Sequence, residues 1–408
     1  MKIKYSELIG TLVILFALIG NQSTRLFGIS YGFLFKILYF SKYILCFLFI
    51  AYYLTHRRSF AVTKNVSNRF LKLSIPLFAL MILTECLALG FSEVPQIYGV
   101  HYWSRSLFVF IDRFCIWTTC FLMWKYIGKK SLDCITRAVV ADAIIILVCA
   151  LIRVGISGIA NSFLSILADT QENFFEVHEL TFAIGMLIIY YLFFDAERRS
   201  NKKLLVFFLT ISFLLGDKRI GIFAIVVAGI FALFVRKRGL SKKSLATLGS
   251  CGILICMLYI ALIYNSVFFA MLLKYNISSS GRDIIFGYFT RRTTFGISHM
   301  GWGIAGISKV IENWDASEVM YMQSISGLHN DILATYISYG IIGSILWFAY
   351  YLLYLPNRFF SKFSKRTATI YMAMVLYLFV TYLTDNTADY FVCQVLLLLI
   401  PLSQLRNS

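Results

Sequence analysis

Gly216-Asp217-Lys218-Arg219 stands between two apolar runs, 204–216 and 220–235. A guanidinium beside the start of a helix makes an anion site. It offers a planar fork of donors, and the first-turn N–H groups add partial positive charge. Arg219 is therefore read as a phosphate-holding residue, with Lys218 and Asp217 beside it. More cations follow at Ser280-Gly281-Arg282-Asp283 and at Arg291-Arg292. Together they match a doubly charged group such as a pyrophosphate, whose departure needs stabilisation where charge develops. His329-Asn330-Asp331 precedes the apolar run 332–355. Asn330 or Asp331 suits the N-cap. A helix start disfavours imidazolium, so His329 reads as a neutral ring able to accept a proton. His299, the pair His178-Glu179 and Asp385 stand at or near the ends of other apolar runs and read as lining the same site. The plain alternative for each arginine is a snorkelling headgroup anchor.

Other chemistry finds no footing. There is no Ser-His-Asp spacing, no H-E-x-x-H and no Cys/His cluster. The nine cysteines lie almost wholly in apolar runs without a C-x-x-C and read as small apolar fillers. No metal and no cofactor is expected. Gly301-Trp302-Gly303-Ile304-Ala305-Gly306 is a literal G-x-G-x-x-G. No strand and no βαβ unit surrounds it, so it reads as a tight packed or re-entrant loop rather than a dinucleotide fingerprint.

The elements that must position these residues are membrane helices. Of 408 residues 59% are hydrophobic and only 14% are charged, with mean hydropathy +0.77. A soluble domain of this size would expose too much apolar surface. The net charge of +18 would suggest nucleic acid in a soluble protein; here it reflects basic loops and excludes that partner. About twelve spans are expected: 6–21, 30–54, 73–91, 106–125, 137–156, 179–195, 204–216, 220–235, 245–265, 332–355, 369–385 and 389–404. Met1 to Glu7 with the first run reads as an uncleaved first span. With the N-terminus inside, 25 of the 38 Lys and Arg fall on inner segments and 9 on outer ones. That asymmetry predicts both termini in the cytoplasm. The chain is expected to be one all-α integral membrane domain, 1–408, with a long outer loop at 266–331. Glu85, Asp112, Arg113, Asp142, Arg153 and Glu179 are costly inside spans, and Glu85 is expected to pair with Arg113.

The stretches LLGDKRIGIFAIVVAG, SGRDIIFGYF, GISHMGWGIAG and HNDILATYISYGIIGSIL, set before and within the last three spans, resemble the O-antigen polymerase and O-antigen ligase family. The resemblance covers roughly 200–355 by motif and the rest by helix number; Lys218 stands where the family usually has Ser. It implies a metal-independent glycosyltransferase of the bacterial cytoplasmic membrane, acting on polyprenyl-pyrophosphate-linked oligosaccharide at the outer leaflet. By that resemblance Arg219 and Arg282 hold the pyrophosphate, joined by Arg291, and His329 is the base. Arg292, His299, Asn330, His178, Glu179 and Asp385 are expected at the substrate. Membrane lipid and other polysaccharide-export proteins are the expected partners. Repeat-unit polymerisation is the favoured activity. The alternatives are a ligase that moves finished glycan to another acceptor, and a flippase of lipid-linked glycans.

Overall fold

The structure, a computed structural model, describes residues 4–28, 32–56, 64–165, 174–195, 201–276, 279, 281–313 and 327–405. All regular structure among them is helical. The helices are α1 (Tyr5–Phe27), α2 (Phe33–Thr55), α3 (Lys64–Leu71), α4 (Ile75–Phe91), α5 (Val94–Ile127), α6 (Ser131–Ser165), α7 (His178–Ile189), α8 (Lys202–Leu215) and α9 (Arg219–Val235). They continue as α10 (Lys242–Tyr264), α11 (Val267–Lys274), α12 (Arg282–Thr290), α13 (Gly306–Glu312), α14 (Asp331–Ala349), α15 (Leu355–Lys362), α16 (Lys365–Thr381) and α17 (Phe391–Leu402). Every apolar run read from the sequence coincides with one of these helices. Six stretches are long and apolar enough to cross a bilayer. Large apolar side chains face outward along their flanks, with Phe33 82% and Ile152 79% exposed, and on the shorter α9 Phe234 is 79% exposed. Such a surface suits lipid, and the chain is suited to a membrane.

Side-chain bonds gather the helix ends at two poles. At one pole Arg113 reaches Asp389, His178 reaches Asp385 and Asp331 accepts from the Ala388 N–H. At the far pole Arg366 donates to the Phe194 carbonyl at 2.8 Å and Lys130 lies 3.9 Å from Glu7.

Segment 266–331 is not a structureless loop. It holds α11, α12 and α13, and its residues 314–326 lie outside the described residues, as does Ser280. The glycine-rich motif explains its own shape. α14 breaks at Gly340, where φ is +66. The carbonyls of Ile337 and Ser338 at that break accept from Trp302 N–H at 2.9 Å and Gly303 N–H at 3.0 Å. The re-entrant loop thus satisfies backbone groups that a broken membrane helix would leave bare. A Cβ on Gly303 would overlap the Tyr102 hydroxyl, and one on Gly340 would overlap the His299 carbonyl. Only glycine fits either place.

The expected Glu85–Arg113 pair does not form. Glu85 accepts from the Tyr102 hydroxyl and from Ile304 N–H, both at 2.8 Å. It pins the re-entrant loop to α4 and α5. Arg113 instead donates to the Ala388 carbonyl at 2.6 Å and to Asp389 at 2.7 Å. The nearest donors to Glu85 are the Tyr102 hydroxyl and Ile304 N–H, while Asp389 and the Ala388 carbonyl take the Arg113 guanidinium.

Candidate functional site

A cavity of about 470 Å³ opens among the helix ends of the first pole. α5 supplies its basic wall. Arg105, Phe108, Val109, Asp112 and Arg113 line it, which is the i, i+3, i+4, i+7, i+8 stripe of one helix face. α2 adds Tyr39 and Lys42, and α1 adds Asn21 and Gln22. A second chamber of about 160 Å³ adjoins it and shares Arg105, Arg113, Ser308, Asn386 and Asp389.

The cations differ in how far they are already spent. Lys42 is buried 3.7 Å from Asp112 and is surrounded by the rings of Tyr39, Tyr43 and Phe391. Arg113 is held by Asp389. Arg105 lies over the Phe108 ring at 5.3 Å, and its buried Nε has no partner among the described residues. A guanidinium donor facing a polar cavity is costly unless water or a ligand completes it, and an anion can take the place of that water. Arg105 is the lining cation best placed to take an anion.

Two imidazoles line the same cavity. His178 opens α7 and its Nδ1 lies 3.1 Å from Asp385. Asp385 also accepts from the Tyr390 hydroxyl at 2.7 Å and the Asn386 N–H at 2.8 Å. Burial alone would raise the Asp385 pKa. The hydrogen bond and charge of His178, with the charge of Lys218, outweigh it and hold the carboxyl below the usual carboxylate range. His329 sits just before α14 with φ +50, outside the preferred region for a non-glycine residue. Burial pushes its pKa down, against the pull of Asp385. That shift favours the neutral ring, with burial rather than the helix start as its main cause.

The other residues singled out by the sequence spread around this centre. Asn330 is the N-cap of α14: its Oδ1 accepts from Leu333 N–H at 2.9 Å, and its amide donates to the Tyr259 hydroxyl at 2.8 Å. Asp331 does not cap; its carboxylate accepts from Ala388 N–H at 2.7 Å. Glu179 lines the cavity but is spent as a staple, taking Val392 N–H at 2.6 Å and the Asn21 amide. Lys218 is spent too, on Glu176. That ion pair answers why a lysine stands at this turn. Asp217 adopts φ +45 there. Arg219 opens α9 with an exposed side chain and does not line the cavity. Arg282 opens α12, donates to the Thr384 carbonyl at 3.3 Å and keeps a buried Nε without a partner. Its charge reaches His329.

Three residues stand apart from the cavity. Arg291 donates back to its own helix at Gly287, and Arg292 stacks on Tyr288 at 3.7 Å. His299 is buried with Nε2 3.1 Å from the Ile337 carbonyl, where it supports the α14 break. Burial lowers its pKa.

Lys42 and Arg105 line the cavity without having been singled out by the sequence, and Arg113 lines it although the sequence marked it only as a costly charge within a span. Their signal was available in the cost of charge within apolar helices and in the α5 stripe at helical spacing. Among the described residues no group of His, Cys, Asp and Glu could hold a metal ion. No model of a protein family matches this chain, and no curated protein matches it.

Proposed function

We propose that this chain is a polysaccharide polymerase that joins polyprenyl-pyrophosphate-linked oligosaccharide repeat units at the outer leaflet of the bacterial cytoplasmic membrane. The observation that carries the reading is the single cavity in which Arg105, with an unsatisfied Nε, shares walls with Arg113, His178 and His329. The acceptor hydroxyl oxygen attacks the anomeric carbon. The bond from that carbon to the pyrophosphate oxygen breaks. The hydroxyl proton passes to the neutral His329 imidazole. The pyrophosphate leaves on its lipid, and its growing charge is met by Arg105 and Arg113, with the charge of Arg282 acting on His329. His178 and Asp385 hold each other and fix the floor beside His329.

The proposed topology is twelve crossings with both termini in the cytoplasm and the cavity pole outside. The far pole carries Lys129, Lys130, Lys202, Lys203, Lys242 and Lys243 at its helix junctions, which is where basic residues are retained. Membrane lipid and other export proteins are the proposed partners.

The test is a strain deleted for this chain whose surface glycan is sized. Single repeat units support the polymerase. Full-length chains lacking their final attachment would instead indicate a ligase. Units trapped on the cytoplasmic side would indicate a flippase.

A further inference from the structure

The far pole holds a second, smaller pocket of about 180 Å³ where the α9–α10 junction meets the start of α16. Arg236, Lys237, Arg238, Lys365 and Arg366 line it, and among the described residues no acidic side chain does. The two segments are locked together. Leu240 N–H donates to Thr369 Oγ1 at 2.9 Å, and Arg366 donates to the Phe194 carbonyl at 2.8 Å. Gly239 adopts φ +65, and a Cβ there would sit 3.1 Å from Lys365 Cε and 3.2 Å from Thr369 Oγ1. The junction therefore approaches α16 as closely as a side chain would allow.

Retention of cations on one side of a membrane asks only that they stand in the loops. It does not ask five of them, from segments far apart in sequence, to converge on one pocket. Five exposed like charges facing one pocket, with no acid lining it among the described residues, repel one another, an effect that solvent screens in part. Lys365 and Arg366 stand in the first turn of α16, where the helix dipole disfavours cations as well. A multiply charged anion removes both costs. Arg236 and Arg238 supply planar forks, and Lys237 and Lys365 supply point charges, which is the donor set of a phosphate site.

We propose that this pocket binds a phosphate-bearing anion, supplied either by an anionic lipid headgroup or by a soluble phosphate. Bound there, the anion ties the base of α9 to the base of α16, two helices that pack along one another. Their opposite ends carry Arg219 and lead to Asp385. The site is independent of the glycan reading and lies at the other end of the molecule from that cavity.

The test uses the full chain in nanodiscs and reads the thermal unfolding midpoint. One arm adds pyrophosphate to nanodiscs of neutral phosphatidylcholine; the other replaces part of that lipid with cardiolipin. A rise in the first arm identifies a soluble phosphate, and a rise in the second alone identifies a lipid headgroup. Arg238→Gln and Lys365→Gln should each weaken the apparent Kd about tenfold, the effect of one lost charge-assisted bond. Arg358→Gln, at the same pole and outside the pocket, should respond like the parent. Where a variant unfolds without ligand, slowed acylation of Lys237 and Lys365 in the parent chain gives the second readout. No response in either arm overturns the site, and so does an equal response in the pocket variants.

Discussion

Arg105 is the residue on which the proposed chemistry depends most. Arg113 and Lys42 already face carboxylates, whereas Arg105 holds a buried donor that no described residue satisfies. Arg105→Ala should lower chain growth by roughly ten- to a hundredfold, the rate equivalent of losing about 1.5–3 kcal/mol of charge-assisted bonding in the transition state. Arg105→Lys should recover only part, because an ammonium lacks the planar fork. Turnover of purified protein on lipid-linked repeat units measures both, and parental turnover in Arg105→Ala would remove Arg105 from the site. His329 gives a second prediction, with its sign fixed by burial. The base must be neutral, and its pKa lies below the ordinary value. The acid limb of the activity profile should therefore fall below about pH 6.5, the midpoint of a free imidazole. His329→Ala should cost about 10²–10⁴-fold in turnover while donor binding persists. A profile whose acid limb survives unchanged in His329→Ala would transfer the role to His178. The sequence made His329 legible through its place before a helix. It hid Arg105 because a basic residue near a span end is ordinarily an anchor, and only the partners of its Nε distinguish the two roles.

At the scale of elements, α5 and the re-entrant loop build the site between them. The α5 stripe faces the cavity because its Arg105, Asp112 and Arg113 cannot face lipid. The apolar helices were legible from hydropathy, since length and composition suffice to find them. Their ends were not. α5 begins at Val94 rather than near 106, and α16 ends at Thr381 rather than 385. The missing turn at 382–390 is what carries Asp385 and Asp389 to the cavity, and such a turn leaves no mark on an apolar average. The break in α14 was equally hidden, because Gly340 alone does not announce a kink. The G-x-G-x-x-G segment was read as a tight packed or re-entrant loop, and its partner across the break could not be named. Gly340→Ala and Gly303→Ala should destabilise the protein by at least about 1–2 kcal/mol each, the cost of a left-handed L-residue before any overlap is counted. Overlap with the His299 carbonyl and the Tyr102 hydroxyl adds to it. Thermal unfolding in detergent checks both, and an unchanged midpoint would show that the loop does not plug the break. Asn330→Ala should cost about 1 kcal/mol by the same measurement, because Asn330 alone caps α14 and Asp331 is engaged elsewhere.

For the whole molecule the decisive property is sidedness. The contacts sort the helix ends into two poles, and the basic residues crowd the pole away from the cavity. Lipid bilayers keep Lys and Arg of short loops in the cytoplasm because carrying them across is costly, so the cavity pole should lie outside. Reporter fusions after Lys243 and Arg366 should accordingly read cytoplasm, and fusions at Lys218, Asn313 and Asp385 should read the opposite side. The five positions test two separate things. Agreement among Lys218, Asn313 and Asp385 tests whether α8, α13 and α16 bring those residues to one pole. The sign of that common answer tests whether the pole faces the leaflet on which the proposed lipid-linked donor is presented. Three concordant cytoplasmic signals would keep the cavity and its Arg105–His329 arrangement intact, yet put it on the wrong face for outer-leaflet polymerisation. A discordant signal at Asn313 alone would detach segment 266–331 from the site and take the re-entrant loop with it.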